Sequence, residues 1–483
     1  MVSRPEGADR SSSPAEPESR GAVAAAYLFG AVLVFGLGDF LLAIPIQVSD
    51  SFGNMLKLSV SWRDTVIGEF TQHAYLRPLL WLQLKAVYEL SDGAYYAWFR
   101  GTHVLQVAAL VALYLHLIRP RQWRDAALVP LGLAVLIGHH AFAGTVKEAF
   151  PINTFMTVLL GCFAAAALSL GRYRRWNDPL AVLLFAVAAL SVESGLLVIV
   201  IFVAGALVGG RGVSRGALVA LGLGLVGYFA LRFAILDVGG PSLNERASGY
   251  GFSLLEPTDL VERFGAHPLP FYVYNVVTSA LSVLFGEPRA GLFRLTLGFT
   301  LGDPYPALLV TTVACTSATV LMGLFAWRRR AAWRRWALTR DDQLVLLFFA
   351  VLAANAVISY PYTKSVIMSP AGGFFALAVF AAARNVLPPA PSSTMVRSVA
   401  PLAACAVLSI AWSVRLVGVH VELWVAARDV RTQWAYVHEW IAQQHLDVSA
   451  PRSRDLLQAL RNDALLTQPA ASELKWTVRN WLY

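Results

Sequence analysis

The chain alternates apolar runs of about 17 to 25 residues with short arginine clusters, a pattern that confines it to a bundle of membrane helices. A hydrocarbon core about 30 Å thick is crossed by roughly 20 residues of α-helix, which satisfies its own backbone where no water can. Clear runs occupy 22–46, 102–118, 126–142, 152–170, 217–236, 306–326, 343–359, 371–388 and 399–417. The stretch 180–210 is too long for one span and short for two, with Glu193 near its middle. Arg172, Arg174 and Arg175 precede it while Arg211 and Arg215 follow it, so the positive-inside rule puts both its ends in the cytoplasm. That predicts a hairpin of two short helices with Glu193 at the outer tip. The expectation is an all-α polytopic bundle of about eleven spans with a cytoplasmic N-terminus.

The remaining clusters agree with that sidedness: Arg119, Arg121 and Arg124; Arg328 to Arg340; Arg384 and Arg397. Three segments then lie outside: 47–101, 237–305 and 418–483. Within the second, the 15-residue run Phe271 to Phe285 reads as an interfacial or re-entrant helix, because a lone crossing there would carry the six-arginine loop outside. Residues 1–20, rich in Pro, Ser, Glu and Arg, read as a disordered cytoplasmic tail, and no cleavable signal peptide is expected. The tail from 418 carries Trp424, Trp434 and Trp440 among charges and reads as a helix lying along the membrane surface.

Composition narrows the function classes. With 57% hydrophobic and 14% charged residues the chain is far from a soluble domain, where about 25% are charged. The net charge of +9 sits in the inter-span clusters, so it reports topology and no nucleic-acid partner is expected. Cys162, Cys315 and Cys405 all fall in apolar runs without metal-ligand or disulfide spacing. No metal and no cofactor is indicated. Usage rich in Ala and Arg and poor in Lys is consistent with a bacterial inner-membrane protein.

Chemistry-bearing residues gather in the first outer segment, where Asp50, Asp64, Glu69, His73 and Arg77 follow the first span. A 55-residue linker is longer than connection requires, and such loops are usually functional. An acidic residue after the first span, followed by Tyr75, Arg77, Pro78 and Leu79 in a Tyr-x-Arg-Pro-Leu motif, resembles the integral-membrane glycosyltransferases of the GT-C fold. The similarity is greatest to the polyprenyl-phosphate-sugar branch that includes protein O-mannosyltransferase-like enzymes. Further matches are Glu148 in TVKEAFPIN, Ser-x-Glu-Ser-Gly at Glu193, and YPYTKSVIMSPAG, where many relatives have Arg-Tyr and this chain has Lys364. The resemblance spans roughly residues 22–390 through short, degenerate motifs.

It implies sugar transfer from a polyprenyl-phosphate donor to a glycan, lipid or protein acceptor on the extracytoplasmic face, with membrane lipid around the bundle. An inverting transfer needs a carboxylate to take the acceptor proton and cations to hold the leaving phosphate. Asp50 is the expected base, with Asp39 and Glu148 as further catalytic acids; Arg77 and Lys364 are the expected phosphate ligands, and Glu193, Tyr75 and His73 other site residues. Each has an ordinary alternative. Asp50 suits a helix N-cap, Asp39 sits where Pro45 ends a helix, and Glu148 suits an ion pair with Lys147. Arg77 suits a pair with Glu69 or Asp64, and Lys364 suits snorkelling to a membrane edge. His139 and His140 point about 100° apart on a helix, against a shared metal. A polysaccharide polymerase or ligase would use Arg246, Arg263, Arg289 and Arg294, and a transporter would show inverted repeats and broken helices.

Overall fold

The computed structural model describes residues 19–48, 50–66, 76–147, 154–235, 249, 255–266, 268–286, 297–302, 306–386 and 395–466. In chain order the helices are α1 (Arg20–Leu42), α2 (Asp50–Leu58), α3 (Pro78–Ser91), α4 (Tyr95–Ile118), α5 (Trp123–Gly138) and α6 (His140–Lys147). Then come α7 (Thr154–Ser169), α8 (Asn177–Ala189), α9 (Leu197–Leu207), α10 (Arg215–Phe229), α11 (Pro257–Phe264) and α12 (Leu269–Phe285). The last six are α13 (Pro306–Arg334), α14 (Arg340–Ile358), α15 (Ser369–Val386), α16 (Met395–Ala435), α17 (Val437–Gln443) and α18 (Pro451–Leu466). Among the described residues no strand forms, and one isolated bridge joins Arg172 to Arg211. The fold is an all-α polytopic helix bundle.

Seven helices are long and apolar enough to cross a membrane, or up to nine if the bent pairs α5 with α6 and α11 with α12 each make one span. The expected count of about eleven is therefore too high by length and composition. The apolar runs behind it are present as helices, but α7, α8 and α9 have 16, 13 and 11 residues. At 1.5 Å per residue they rise only about 16 to 24 Å, short of the roughly 30 Å core. The α8–α9 hairpin expected around Glu193 is present, turned by a 3-10 segment, Glu193–Leu196. Its tightness depends on Gly195, where a Cβ would lie 2.0 Å from the Ala188 carbonyl oxygen.

The centre of the bundle is α15, with residues Ser369 to Ala383 buried against α14, α5 and α13. Its sequence mixes Ala and Gly with Phe374, Phe375 and Phe380, so small positions let neighbours approach while the rings fill the space. Gly373 faces Phe163 of α7 in this way.

Arginines at one end do more than mark topology. A helix leaves its last four carbonyls without intrahelical donors, and long cations meet them favourably at the negative end of the helix dipole. Arg384 Nη1 donates to the Ile118 carbonyl at 3.0 Å, Arg340 Nη1 to Leu170 at 2.9 Å, and Arg328 Nη1 to Val386 at 2.9 Å. Asp342, fully buried, receives Arg329 at 2.7 Å, Trp333 Nε1 at 2.7 Å and the Thr339 backbone at 2.7 Å. Arg384 also pairs with Asp341. This arginine-rich end is thus cross-linked through helix termini.

α16 carries the last expected span on into the tail from 418. It runs unbroken for 41 residues through position 418. That is about 62 Å of helix, beyond the roughly 40–45 Å of a whole bilayer. Its far part packs with α18, and Trp434 Nε1 donates at 2.7 Å to the Ile46 carbonyl just after α1.

Candidate functional site

At the end of the bundle opposite the arginine-rich one, the Arg77 Nη2 donates at 2.7 Å to Glu193 Oε2. Arg77 is the N-cap position of α3, whose Pro78 starts the helix without needing a donor. The hairpin tip is held there by the Leu79 amide donating to the Leu190 carbonyl at 3.1 Å. Gln83 Nε2 donates to Ser191 Oγ at 3.3 Å and its Oε1 accepts from Thr157 at 3.4 Å, so α3, α7 and the tip share one polar seam. A third residue completes the cluster: Arg232 Nη1 lies 3.4 Å from Glu193 Oε1 and donates to the Tyr228 hydroxyl at 3.0 Å. Arg232 stands on a π-helical turn, Ala230–Ile235, that continues α10.

Two guanidinium groups therefore share one carboxylate. The Arg77, Glu193 and Arg232 side chains keep 30%, 25% and 14% of their surface exposed, so the cluster is mostly buried with part of it reachable from outside. Arg77 does not pair with Asp64, which instead accepts from Ser61 Oγ at 2.7 Å. Sequence reasoning brought forward Arg77 and Glu193 separately and missed Arg232. The signal was available, since Arg232 is the one charged residue in the 217–236 run.

The first outer segment is pinned on both sides of Asp50. Fully buried Arg100 donates from Nε to the Ile44 carbonyl at 2.7 Å and from Nη2 to Pro45 at 3.1 Å. Buried Lys85 donates from Nζ to the Leu58 and Val60 carbonyls, each at 2.7 Å, and pairs with Glu89 at 2.5 Å. Both cations satisfy carbonyls where the chain leaves a helix, α1 in one case and α2 in the other. Asp50 is the first residue of α2, between these clamps. Phe52 of the same helix meets Trp434 and Trp440 at ring-centroid distances of 5.7 and 6.2 Å. Neither Lys85 nor Arg100 was singled out from sequence, because each sits in a mixed amphipathic stretch with no local sign of burial.

Lys364 is exposed at the N-cap of a 3-10 turn, Ser365–Met368, with Nζ 6.0 Å from the Tyr362 ring centre. That turn is fixed from α14, where Asn355 Nδ2 donates to the Ile367 carbonyl at 2.9 Å and its Oδ1 accepts from the Ala371 amide at 3.2 Å. It packs on α6 closely enough that a Cβ at Gly144 would lie 2.9 Å from Val366.

Asp39 lies apart, exposed on the last turns of α1, in a groove of about 480 Å³ shared with Val104, Ala108 and Val111 of α4. His139 and His140 are buried at the 67° bend between α5 and α6. His139 Nε2 lies 3.2 Å from the Val283 carbonyl and His140 Nε2 2.9 Å from Ser282, and Thr319 Oγ1 donates to Leu284 at 2.6 Å. These three side chains cap the C-terminus of α12, the helix read from sequence as interfacial or re-entrant. Its other half is tied by Asn275 Nδ2 to the Tyr360 carbonyl at 2.7 Å. The histidines serve a helix end, and among the described residues no group of three or more His, Cys, Asp or Glu is placed to hold a metal.

Glu148, His73, Tyr75 and Glu69 lie outside the described residues, as does the Asp50 side chain. No protein-family model matches the chain, and no curated protein or solved structure does.

Proposed function

We propose that the protein transfers a sugar from a polyprenyl-phosphate donor to an acceptor hydroxyl at the extracytoplasmic face of a bacterial inner membrane. The observation that carries this reading is the Arg77–Glu193–Arg232 cluster, at the end opposite the arginine-rich one and joined to the first outer segment. Two guanidinium groups brought together at one point suit a phosphate monoanion or dianion, because Arg presents a planar fork that matches phosphate oxygens. Glu193 then acts as a positioning residue, holding the two forks together.

In this reading Asp50, on a segment clamped by Arg100 and Lys85, takes the proton of the acceptor hydroxyl. The acceptor oxygen attacks the anomeric carbon as its bond to the donor phosphate breaks, with inversion. The electron pair of that bond leaves with the polyprenyl phosphate, whose charge Arg77 and Arg232 stabilise, with Lys364 as a further cation. Asp39 and Glu148 stand as alternative acids, and Tyr75 and His73 as further groups of the same outer segment. The arginine-rich end is assigned to the cytoplasm with the N-terminus, and the C-terminal helices to the outside.

The test is to incubate purified protein with radiolabelled polyprenyl-phosphate monosaccharides and a panel of glycan, lipid and peptide acceptors. Transfer that is lost in Arg232→Met and Arg77→Met supports the reading. Absence of transfer from every donor by folded protein, or full transfer by the Arg77→Met, Arg232→Met double variant, overturns it.

A further inference from the structure

The far end of α16 and the start of α17 form one wall of a cleft of about 350 Å³, and Val48 of the first outer segment contributes to its lining. That wall carries Thr432, Gln433, Tyr436, Glu439, Trp440 and Gln443. The spacing is helical: 432 and 433, then 436, then 439 and 440, then 443, so one face continues across the junction at Tyr436.

The chemistry of this face is specific. A sugar ring has an apolar C–H face, which packs on an aromatic ring, and an edge of hydroxyls, which pair with amides and carboxylates. The cleft offers both sets on one helical face, with two aromatic rings among two side-chain amides, one carboxylate and one hydroxyl. One ring is held in place: Trp440 packs on Phe52 at 6.2 Å between centroids, and Phe52 packs in turn on Trp434, whose Nε1 donates to Ile46. Tyr436 is 59% exposed beside it.

The ordinary account of exposed Tyr and Trp in such a chain is a membrane-interface belt. A belt ring faces lipid, whereas Trp440 packs on Phe52 of the first outer segment and lines the cleft beside Val48.

We propose that this cleft binds a saccharide, neutral or amine-bearing, through Trp440 and Tyr436 as stacking platforms and Gln433, Glu439 and Gln443 as hydroxyl partners. Among the described residues its lining includes one carboxylate and no cation, so acidic sugars are disfavoured. Val48 is two residues from Asp50, and Phe52 under Trp440 is two residues beyond it. The cleft is therefore an acceptor subsite if the transfer reading holds; saccharide binding itself does not rest on that reading.

The experiment uses the full chain in nanodiscs and saturation-transfer NMR with the methyl glycosides of mannose, galactose, glucose, N-acetylglucosamine and glucuronic acid. We expect saturation of ring C–H protons for at least one neutral sugar and a weaker signal for the glucuronide. Affinity should fall about tenfold in Tyr436→Ala and in Gln433→Ala, both exposed positions whose loss leaves the fold intact. Absence of saturation for every sugar overturns the proposal, as does a signal unchanged in both variants. Quenching of the Trp fluorescence lost in Trp440→Phe by brominated lipid also overturns it, since it would place that ring in the bilayer. A protein that binds sugar here but transfers none keeps the cleft and loses the transferase reading. One that transfers sugar without binding at this face does the reverse.

Discussion

Arg77 and Glu193 stand 116 residues apart in the chain and meet at 2.7 Å, so the first outer segment and the tip of the α8–α9 hairpin are one electrostatic unit. Arg232 approaches the other carboxylate oxygen at 3.4 Å, and removing Glu193 leaves two like charges facing each other.

That arrangement makes Glu193→Gln and Arg77→Met non-additive. Exposed pairs couple by less than about 1 kcal/mol, and breaking a buried pair costs about 3–5 kcal/mol. A pair about a quarter exposed should show a coupling energy between them, about 1–3 kcal/mol. A double-mutant cycle on unfolding in detergent micelles measures it, and a value near zero means the pair contributes nothing to stability.

The proposed mechanism turns on Asp50. A general base is worth typically about 10²- to 10⁴-fold, so Asp50→Asn should lose at least about 100-fold in turnover while donor binding is unchanged or slightly raised. Asn caps a helix about as well as Asp, so a purely capping Asp50 predicts a stable, active variant. Asp39→Asn is the comparison: its inactivity beside an active Asp50→Asn would move the base to the groove between α1 and α4.

Lys364 stands on an exposed turn, and in the proposed reading it meets the donor as a point charge. In a transfer assay Lys364→Arg should retain more activity than Lys364→Met, because charge matters more than fork geometry at such a contact. Equal rates in wild type and both variants would leave only snorkelling at the membrane edge.

His140 satisfies the Ser282 carbonyl at the buried end of α12. The Gly286 amide donates to the same carbonyl at 2.7 Å, so His140→Leu removes one of its two donors and should cost about 0.5–1.5 kcal/mol, whereas His140→Gln keeps a donor and should recover part of it. Thermal unfolding of the two variants decides; identical melting would mean that the Gly286 amide alone suffices.

Sidedness is open to direct labelling. Cysteines placed at Arg335 and Gln458 should react with membrane-impermeant maleimide from opposite faces, Arg335 from the cytoplasm. Reaction of both from one face would mean that the segment between them crosses an even number of times.

The sequence by itself determined the class of this fold. Helical apolar runs and arginine clusters are local signals, because lipid forces each segment to satisfy its own backbone. The hairpin at Glu193 was legible for the same reason. The count of about eleven spans failed because hydropathy reports how apolar a run is and says little about how much of it is helix. The 13 and 11 residues of α8 and α9 became clear only in three dimensions.

Only the tertiary structure decided where the polar groups go. Every helix end inside the bundle needs donors for its last carbonyls, and those donors come from distant segments: Arg100 for the exit of α1, Lys85 for α2, His139, His140 and Thr319 for α12. The same holds for Arg232 beside Glu193, and for the cleft that an unbroken α16 carries back over the first outer segment. Nothing in the local sequence names such partners, because a buried charge or carbonyl is satisfied by whichever group packing brings within about 3 Å.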